Sequence, residues 1–389
     1  MPPSSINWPD GLDEAGFLAR YWQKQPLLIR QALPDFQTPL PAEELAGLSV
    51  EPDTTPRLIT RDEAGAYHLE HGPFTEERFA TLTGNDWSLL VTDVEKHLPE
   101  LAAYLRPFSF VPTWRMDDLM ISYAPVGASV GAHVDEYDVF LLQASGSRQW
   151  SINSREAAHD TYMTNSELKL LSSFEAKESW NLHPGDLLYL PPGVPHHGVA
   201  SAEPCTTWSI GCRAPALPDF VMRVAEMICE QLPQARYTDA TLKPASPGEI
   251  DAAALSRFAT VWRNAVNLDT DELATLTGRF LTESFATATG DQDAVSGVAP
   301  RDSKLSFRVA PFSRLAWCSL ANGQPGNERV RLFVDGHTHD CSRALAMHLC
   351  SVGQPLGDLG KFDSAGDRSL VQTLLSDGAL IVEDSETPG

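Results

Sequence analysis

Apolar positions recur along this chain with three different rhythms. Between residues 112 and 214 they come in short runs, LMISYAP, DVFLLQA, RQWSIN, DLLYLPP and TTWSIGC, separated by Gly, Pro, Ser and Asn. Many short strands with such punctuation predict a jelly roll or small barrel rather than an open parallel sheet. Residues 154–180 break the pattern and read as an insertion with helical or irregular pieces, after which the strands resume at Asp186. From residue 215 to about 285 the spacing becomes three and four. PDFVMRVAEMICEQL sets Phe220, Val221, Val224, Met227 and Ile228 on one stripe behind Pro218, and SPGEIDAAALSRFATVWRNAV sets Leu255, Phe258, Val261, Trp262 and Val266 on another. Ser246, Pro247 and Glu249 have the spacing of a capping box at the start of that second helix, and DELATLTGRFLTESF supplies a third.

Residues 286–302 are small, polar and rich in Gly and Asp, as in a linker. Beyond them the two rhythms mix. RVRLFVDGHTHDCS predicts a hairpin turning at Asp335 and Gly336, SRALAMHLC and RSLVQTLLSDG predict helices, and ALIVE a closing strand. At the other end, a short helix bearing Phe17, Leu18, Tyr21 and Trp22 gives way at Pro26 to an extended segment, and residues 62–65 read as a turn between two strands.

A length of 389 residues suggests two or three domains, and 42% hydrophobic with 21% charged residues marks a globular chain. The net charge of −23 argues against nonspecific binding to nucleic acid or an anionic membrane, and it permits a basic partner. The six cysteines form no CxxC pair, no apolar run reaches the length of a membrane span, and the N-terminus has no export signal. The expected location is the cytoplasm.

Candidate chemistry centres on residues 122–150, SYAPVGASVGAHVDEYDVFLLQASGSRQW. On an extended segment His133 and Asp135 point to one face and can grip one metal ion together. A third ligand is required, and NLHPGDLLYLPPGVPHHGV offers His196 or His197 just after a rigid Pro-Pro-Gly turn. Two histidines and a carboxylate on one face of an iron leave positions open for a co-substrate and oxygen. Zinc hydrolysis would accept the same donors but needs a general base, for which no spacing speaks. His68 and His71 read as strand or loop histidines, and His337-Thr338-His339-Asp340-Cys341 as part of the predicted hairpin.

Taken together, YWQKQPLLIR, DDLMISYAPVGASVGAHVDEYDVFLLQASGSRQW, PGDLLYLPPGVPHHG and WSIGCRAP resemble the JmjC-type ribosomal oxygenases, most closely the bacterial ribosomal protein arginine hydroxylases. The likeness is close over the N-terminal half and looser beyond it. It implies an α+β chain: a double-stranded β-helix of the cupin/JmjC jelly-roll type over residues 1–214, a helical dimerisation region over 215–290 that makes a homodimer, and a winged-helix-like domain over 291–389. The acidity of that last domain argues against DNA as its ligand.

The resemblance further implies Fe(II) held by His133, Asp135 and His196, with 2-oxoglutarate and O2 as co-substrates, and it leaves His197 outside the ligand set. Arg148, on a strand expected to neighbour the His133 strand, and Ser122 match the family's co-substrate positions. A guanidinium can hold the far carboxylate by two parallel hydrogen bonds. Many other JmjC enzymes use lysine there, so arginine favours the arginine hydroxylase branch. Between residues 111 and 138 Arg115 is the only basic side chain, against Asp117, Asp118, Asp135, Glu136 and Asp138. Asp117 or Asp118, with Tyr137, could receive a cationic substrate. The implied reaction is hydroxylation of an arginine β-carbon on a basic large-subunit ribosomal protein, the sixteenth, with succinate and carbon dioxide as co-products. The alternatives are a ribosomal histidine hydroxylase or lysine demethylase of the same fold, and a non-catalytic metal-binding cupin scaffold.

Overall fold

Strands with almost unbroken apolar runs belong to a sheet covered on both faces. The computed structural model describes residues 2–154, 162–163, 168–240, 242–243, 247–283, 306–320, 329–352, 356–357, 359–362 and 364–383. It divides into two units, with the change between Ala214 and Pro215. The first contains, in chain order, α1 (Glu14–Arg20), β1 (Leu27–Ile29), α2 (Ala42–Leu48), β2 (Pro56–Arg61), β3 (Tyr67–His71), α3 (Glu76–Ala80), β4 (Trp87–Val91), α4 (Val94–His97), β5 (Met116–Ala124), β6 (His133–Val134), β7 (Asp138–Ser145), β8 (Arg148–Ile152), β9 (Glu178–Leu182), β10 (Leu187–Leu190), β11 (Pro195–Ala200) and β12 (Cys205–Cys212).

Eight strands pair in the order β1-β10-β7-β12-β5-β4-β2-β3 and four in the order β6-β11-β8-β9. All these pairs are antiparallel. Alternate residues of the larger sheet serve two cores. Val139, Leu141, Leu188 and Leu190 pack with Trp150, Ile152 and Leu182 of the smaller sheet. Phe140, Leu142, Leu187 and Tyr189 turn the other way, into a core with Phe17 of α1, Leu45 of α2 and Phe108. The result is a two-sheet antiparallel jelly roll with helices against one face, an α+β arrangement.

Two expectations change. The strand RQWSIN does not pair with the His133 strand, because β11 lies between β6 and β8. The strand pattern resumes at Glu178 rather than Asp186: β9 is an edge strand with mixed exposure, so its sequence lacks the apolar signature of its neighbours. Residues 155–161 and 164–167 of the supposed insertion lie outside the described residues.

The second unit contains α5 (Leu217–Gln231), α6 (Ala252–Ala265), α7 (Thr270–Thr282), β13 (Ser306–Val309), β14 (Leu315–Cys318), β15 (Arg329–Val334), β16 (His337–Ser342), α8 (Arg343–Leu349), α9 (Ala365–Ser376) and β17 (Leu380–Glu383). Strand β13 pairs with β17, and β14, β15 and β16 form a three-stranded sheet. The β15–β16 turn has Asp335 and Gly336 both at positive φ, 49° and 80°, the twist a tight hairpin requires. Gly278 lets α7 lie on this sheet, since a Cβ there would come within 2.2 Å of the Phe333 ring.

Helix α6 starts later than its sequence suggests. Asp251 caps it, accepting from the Ala254 N–H at 2.7 Å, and its carboxylate complements the positive helix end better than a distant serine could. Ser246 lies outside the described residues, as do residues 286–302. While α5 and α7 bury Val224, Met227 and Leu276 against each other, α6 buries no side chain at all. Its Leu255, Phe258, Val261 and Trp262 are 55–65% exposed. Among the described residues no helix is long and apolar enough to cross a membrane.

Candidate active site

Strands β6 and β11 place His133 and His196 directly opposite each other, with ring centroids 4.2 Å apart. Asp135 follows β6 and turns its carboxylate toward both rings. Oδ1 lies 3.9 Å from His133 Nε2, and Oδ2 lies 3.6 Å from His196 Nε2. Among the described residues this is the one group of three or more His, Cys, Asp or Glu donors lying within 4.8 Å of one another.

The backbone presets both imidazoles. His133 Nδ1 lies 3.0 Å from the Gly131 carbonyl, and His196 Nδ1 lies 2.9 Å from that of Val194. A carbonyl can only accept, so each Nδ1 carries the proton and each Nε2 is left with a lone pair facing Asp135. Burial and the neighbouring His133 pull His196 down to about 4 despite Asp135, so it is neutral at pH 7. Asp135 is steadied from the Pro-Pro-Gly turn, where the Gly193 N–H donates to its carbonyl at 2.8 Å. Gly193 sits at φ 82°, which a residue with a Cβ rarely adopts. Two imidazole nitrogens and a carboxylate oxygen on one side of a point suit a divalent ion such as Fe(II), with the other side free.

The same face of the smaller sheet carries the next group. In the β8–β11 register Ile152, Trp150 and Arg148 lie opposite His196, Gly198 and Ala200, every second residue, so all share one side. Gly198 has no side chain because Trp150 lies over it; a Cβ would meet the indole at 2.8 Å. The indole has the His196 ring on one hand, 5.8 Å away, and the Arg148 guanidinium on the other, 5.7 Å away.

Arg148 is only 5% exposed, and its Nη1 donates to Ser122 Oγ of β5 across the sandwich at 3.2 Å. Its Nε has no acceptor, and it makes no ion pair among the described residues. A buried guanidinium without an anion is costly unless a ligand supplies one. A carboxylate is the kind of ligand that could supply it.

The acidic residues separate into different environments. Asp118 is largely buried, makes no ion pair among the described residues, and is pushed up to about 7 by desolvation and then by Asp117. Tyr137 is 40% exposed, yet desolvation of its hydroxyl and the charges of Asp135 and Asp118 push it up, so it remains a neutral donor near both. Asp117 is exposed and lies 3.7 Å from Arg213. Asp138, counted from sequence among the acidic residues at the mouth, is instead completely buried and salt-bridged to Arg115 at 3.0 Å. Arg57 of β2, which affects both Asp118 and Tyr137, was not anticipated; nothing local marks a residue some 60 positions away.

His197 points away from the trio, toward Phe174. His68 pairs with Asp62 at 2.9 Å in the β2–β3 hairpin. His337 and His339, with Arg279, Thr338 and Asp377, line an open depression of about 550 Å³.

An antiparallel jelly roll with a His-X-Asp and a distant His on one inner face defines a metal-dependent oxygenase of the JmjC class. The JmjC domain family matches residues 103–220. The chain is 35% identical over 265 residues to the ribosomal protein uL16 3-hydroxylase of Escherichia coli, covering 68% of each. It is 34% identical over 239 residues to a probable ribosomal oxygenase of Haemophilus influenzae, covering 61% of this chain and 59% of that one. The solved structure of YcfD, a ribosomal oxygenase from Escherichia coli, in complex with cobalt and 2-oxoglutarate matches with a TM-score of 0.78 and 27% identity, over 98% of this chain and 99% of that one. The chain belongs to the JmjC-type ribosomal oxygenase family, and is an enzyme of the Fe(II)-, 2-oxoglutarate- and O2-dependent kind.

Proposed function

We propose that this enzyme hydroxylates the β-carbon of an arginine on a basic large-subunit ribosomal protein. The observation that carries this reading is Asp118, a largely buried carboxylate that has no ion-pair partner among the described residues. Its room comes from Gly211, where a Cβ would stand 2.6 Å from Asp118 Oδ1. An incoming guanidinium would supply the missing cation and restore the ionised form. Paired acceptors suit a planar guanidinium better than a lysine ammonium or a neutral histidine.

In this reading Asp118 and Tyr137 orient the guanidinium so that the β-carbon faces the trio, while Asp117 adds negative potential at the rim. His133, Asp135 and His196 hold Fe(II), which when bound supplies the oxidising power that places one atom of O2 on the substrate and the other in succinate. Arg148 and Ser122 hold the far carboxylate of 2-oxoglutarate. The net charge of −23 favours encounter with a basic ribosomal protein, and the name of the Escherichia coli relative points to a uL16-type substrate. The place of action is the cytoplasm.

The test loads the protein anaerobically with Fe(II) and 2-oxoglutarate, then adds oxygen and an arginine-bearing uL16-type peptide. Mass spectrometry shows one added oxygen on arginine, absent with His133→Ala. Oxygen on histidine, or demethylation of lysine, replaces this reading with those alternatives; no succinate under any condition leaves the scaffold.

The division into residues 1–214, 215–290 and 291–389, with a winged-helix-like last part, is proposed with it, as is a homodimer in which a second copy covers the exposed face of α6. Aspartate at both Phe258 and Trp262 should weaken self-association about a thousand-fold, as for two central hot-spot residues. Sedimentation equilibrium checks this, and a wild-type protein that is monomeric at micromolar concentration overturns it.

A further inference from the structure

We infer that Asp138 is a positioning residue whose buried carboxylate holds the loop bearing Asp135 and Tyr137 in place. This rests on the reading of His133, Asp135 and His196 as metal ligands. Asp138 opens β7, is fully buried, and contacts none of the trio in the hydrogen bonds and ion pairs of the described residues. Three donors converge on it: Tyr189 Oη on Oδ1 at 2.6 Å, and Gln23 Nε2 and Arg115 Nη2 on Oδ2, each at 3.0 Å.

The donors are themselves fixed. Tyr189 Oη accepts from the Gln23 backbone N–H at 2.7 Å, and Arg115 Nε donates to the Arg213 carbonyl at 2.5 Å. The Arg115 guanidinium also lies 5.3 Å from the centroid of the Trp22 ring. The carboxylate therefore ties the start of β7 to β10, to the segment after α1 and to the approach to β5.

The consequence lies in the length of the loop. Asp135 is pinned by its carbonyl to Gly193 and Asp138 by its carboxylate, and between them only Glu136 and Tyr137 are exposed. Three residue steps span at most about 10 Å, so there is little slack to absorb a shift at one end. A displaced Asp138 moves the Tyr137 hydroxyl and rotates the Asp135 carboxylate. If the carboxylate served only to neutralise the partly buried Arg115, its loss would lower stability and leave ligand binding untouched.

The experiment uses the full chain stripped of metal and titrated with Mn(II), followed by electron paramagnetic resonance, with kcat and KM for the arginine peptide and the melting temperature measured in parallel. Asp138→Asn turns one acceptor into a donor facing donors. Direct hydrogen-bond partners of metal ligands typically govern affinity by about 10–100-fold; Asp138 acts through the loop, so a loss of Mn(II) affinity at the lower end, about ten-fold, is expected, with peptide KM rising more than kcat falls. Tyr189→Phe removes one of the three hydrogen bonds to the carboxylate, together with the acceptor of the Gln23 N–H, and should show the same pattern more weakly, which decides the matter if Asp138→Asn does not fold. Unchanged Mn(II) affinity and KM alongside a lowered melting temperature overturn the positioning role. A wild-type protein that binds no Mn(II) overturns the ligand assignment itself, and this inference with it.

Discussion

Replacing His196 with alanine is expected to cut oxygen-dependent succinate formation by on the order of a thousand-fold, about 4 kcal/mol of barrier. The imidazole is buried, its Nδ1 is held by the Val194 carbonyl, and its Nε2 lies 3.6 Å from Asp135. Without it the donor set falls to His133 and Asp135, both beside or within one two-residue strand. The pairing of β11 with β6 and β8 is made by backbone groups and does not need the side chain, so the fold should survive. Succinate measured by NMR, with circular dichroism as a check on folding, tests this. Turnover above a tenth of wild type would remove His196 from the ligand set.

Arg148→Met should raise the KM for 2-oxoglutarate about a hundred-fold, within the 2–5 kcal/mol typical of truncating a buried charge pair. Arg148→Lys should recover only part, since an ammonium lacks the two-pronged geometry of a guanidinium. The stability effect should run the other way. Arg148 is buried with no anion among the described residues, so in the absence of 2-oxoglutarate its removal deletes an uncompensated charge and should leave the melting temperature unchanged or raised. Wild-type protein should gain about 2.7 kcal/mol at 2-oxoglutarate a hundred times its Kd, and the variant should lose most of that gain. Thermal melts with and without 2-oxoglutarate separate the two effects. An Arg148→Met protein that 2-oxoglutarate still stabilises like wild type would place the carboxylate elsewhere.

These two sites were legible to different degrees. The metal trio rests in part on short-range rules: a spacing of two on an extended segment, and a Pro-Pro-Gly turn that sets the direction of the strand after it; these left His196 and His197 both open, and family likeness chose His196. The Arg148 position came from family likeness, and its expected strand neighbour was wrong. Arg148 meets Ser122, 26 residues away, because the two sheets face each other, and no periodicity in either segment records that.

By itself the sequence determined what depends on a few consecutive residues: the runs that became β5, β7, β8, β10 and β12, the three helices after Pro215, the Asp335-Gly336 hairpin, and the His133-Val134-Asp135 piece of the site with the His196-His197 pair as its other candidate. Tertiary structure alone decided which of these pieces meet. It placed β11 between β6 and β8, buried Asp138 under Arg115 and Tyr189 while Asp117 stayed exposed, and left the apolar stripe of α6 exposed. The reason is physical: periodicity and turn chemistry act within one element, whereas the environment of a carboxylate is set by whatever the packed chain brings against it from tens or hundreds of residues away.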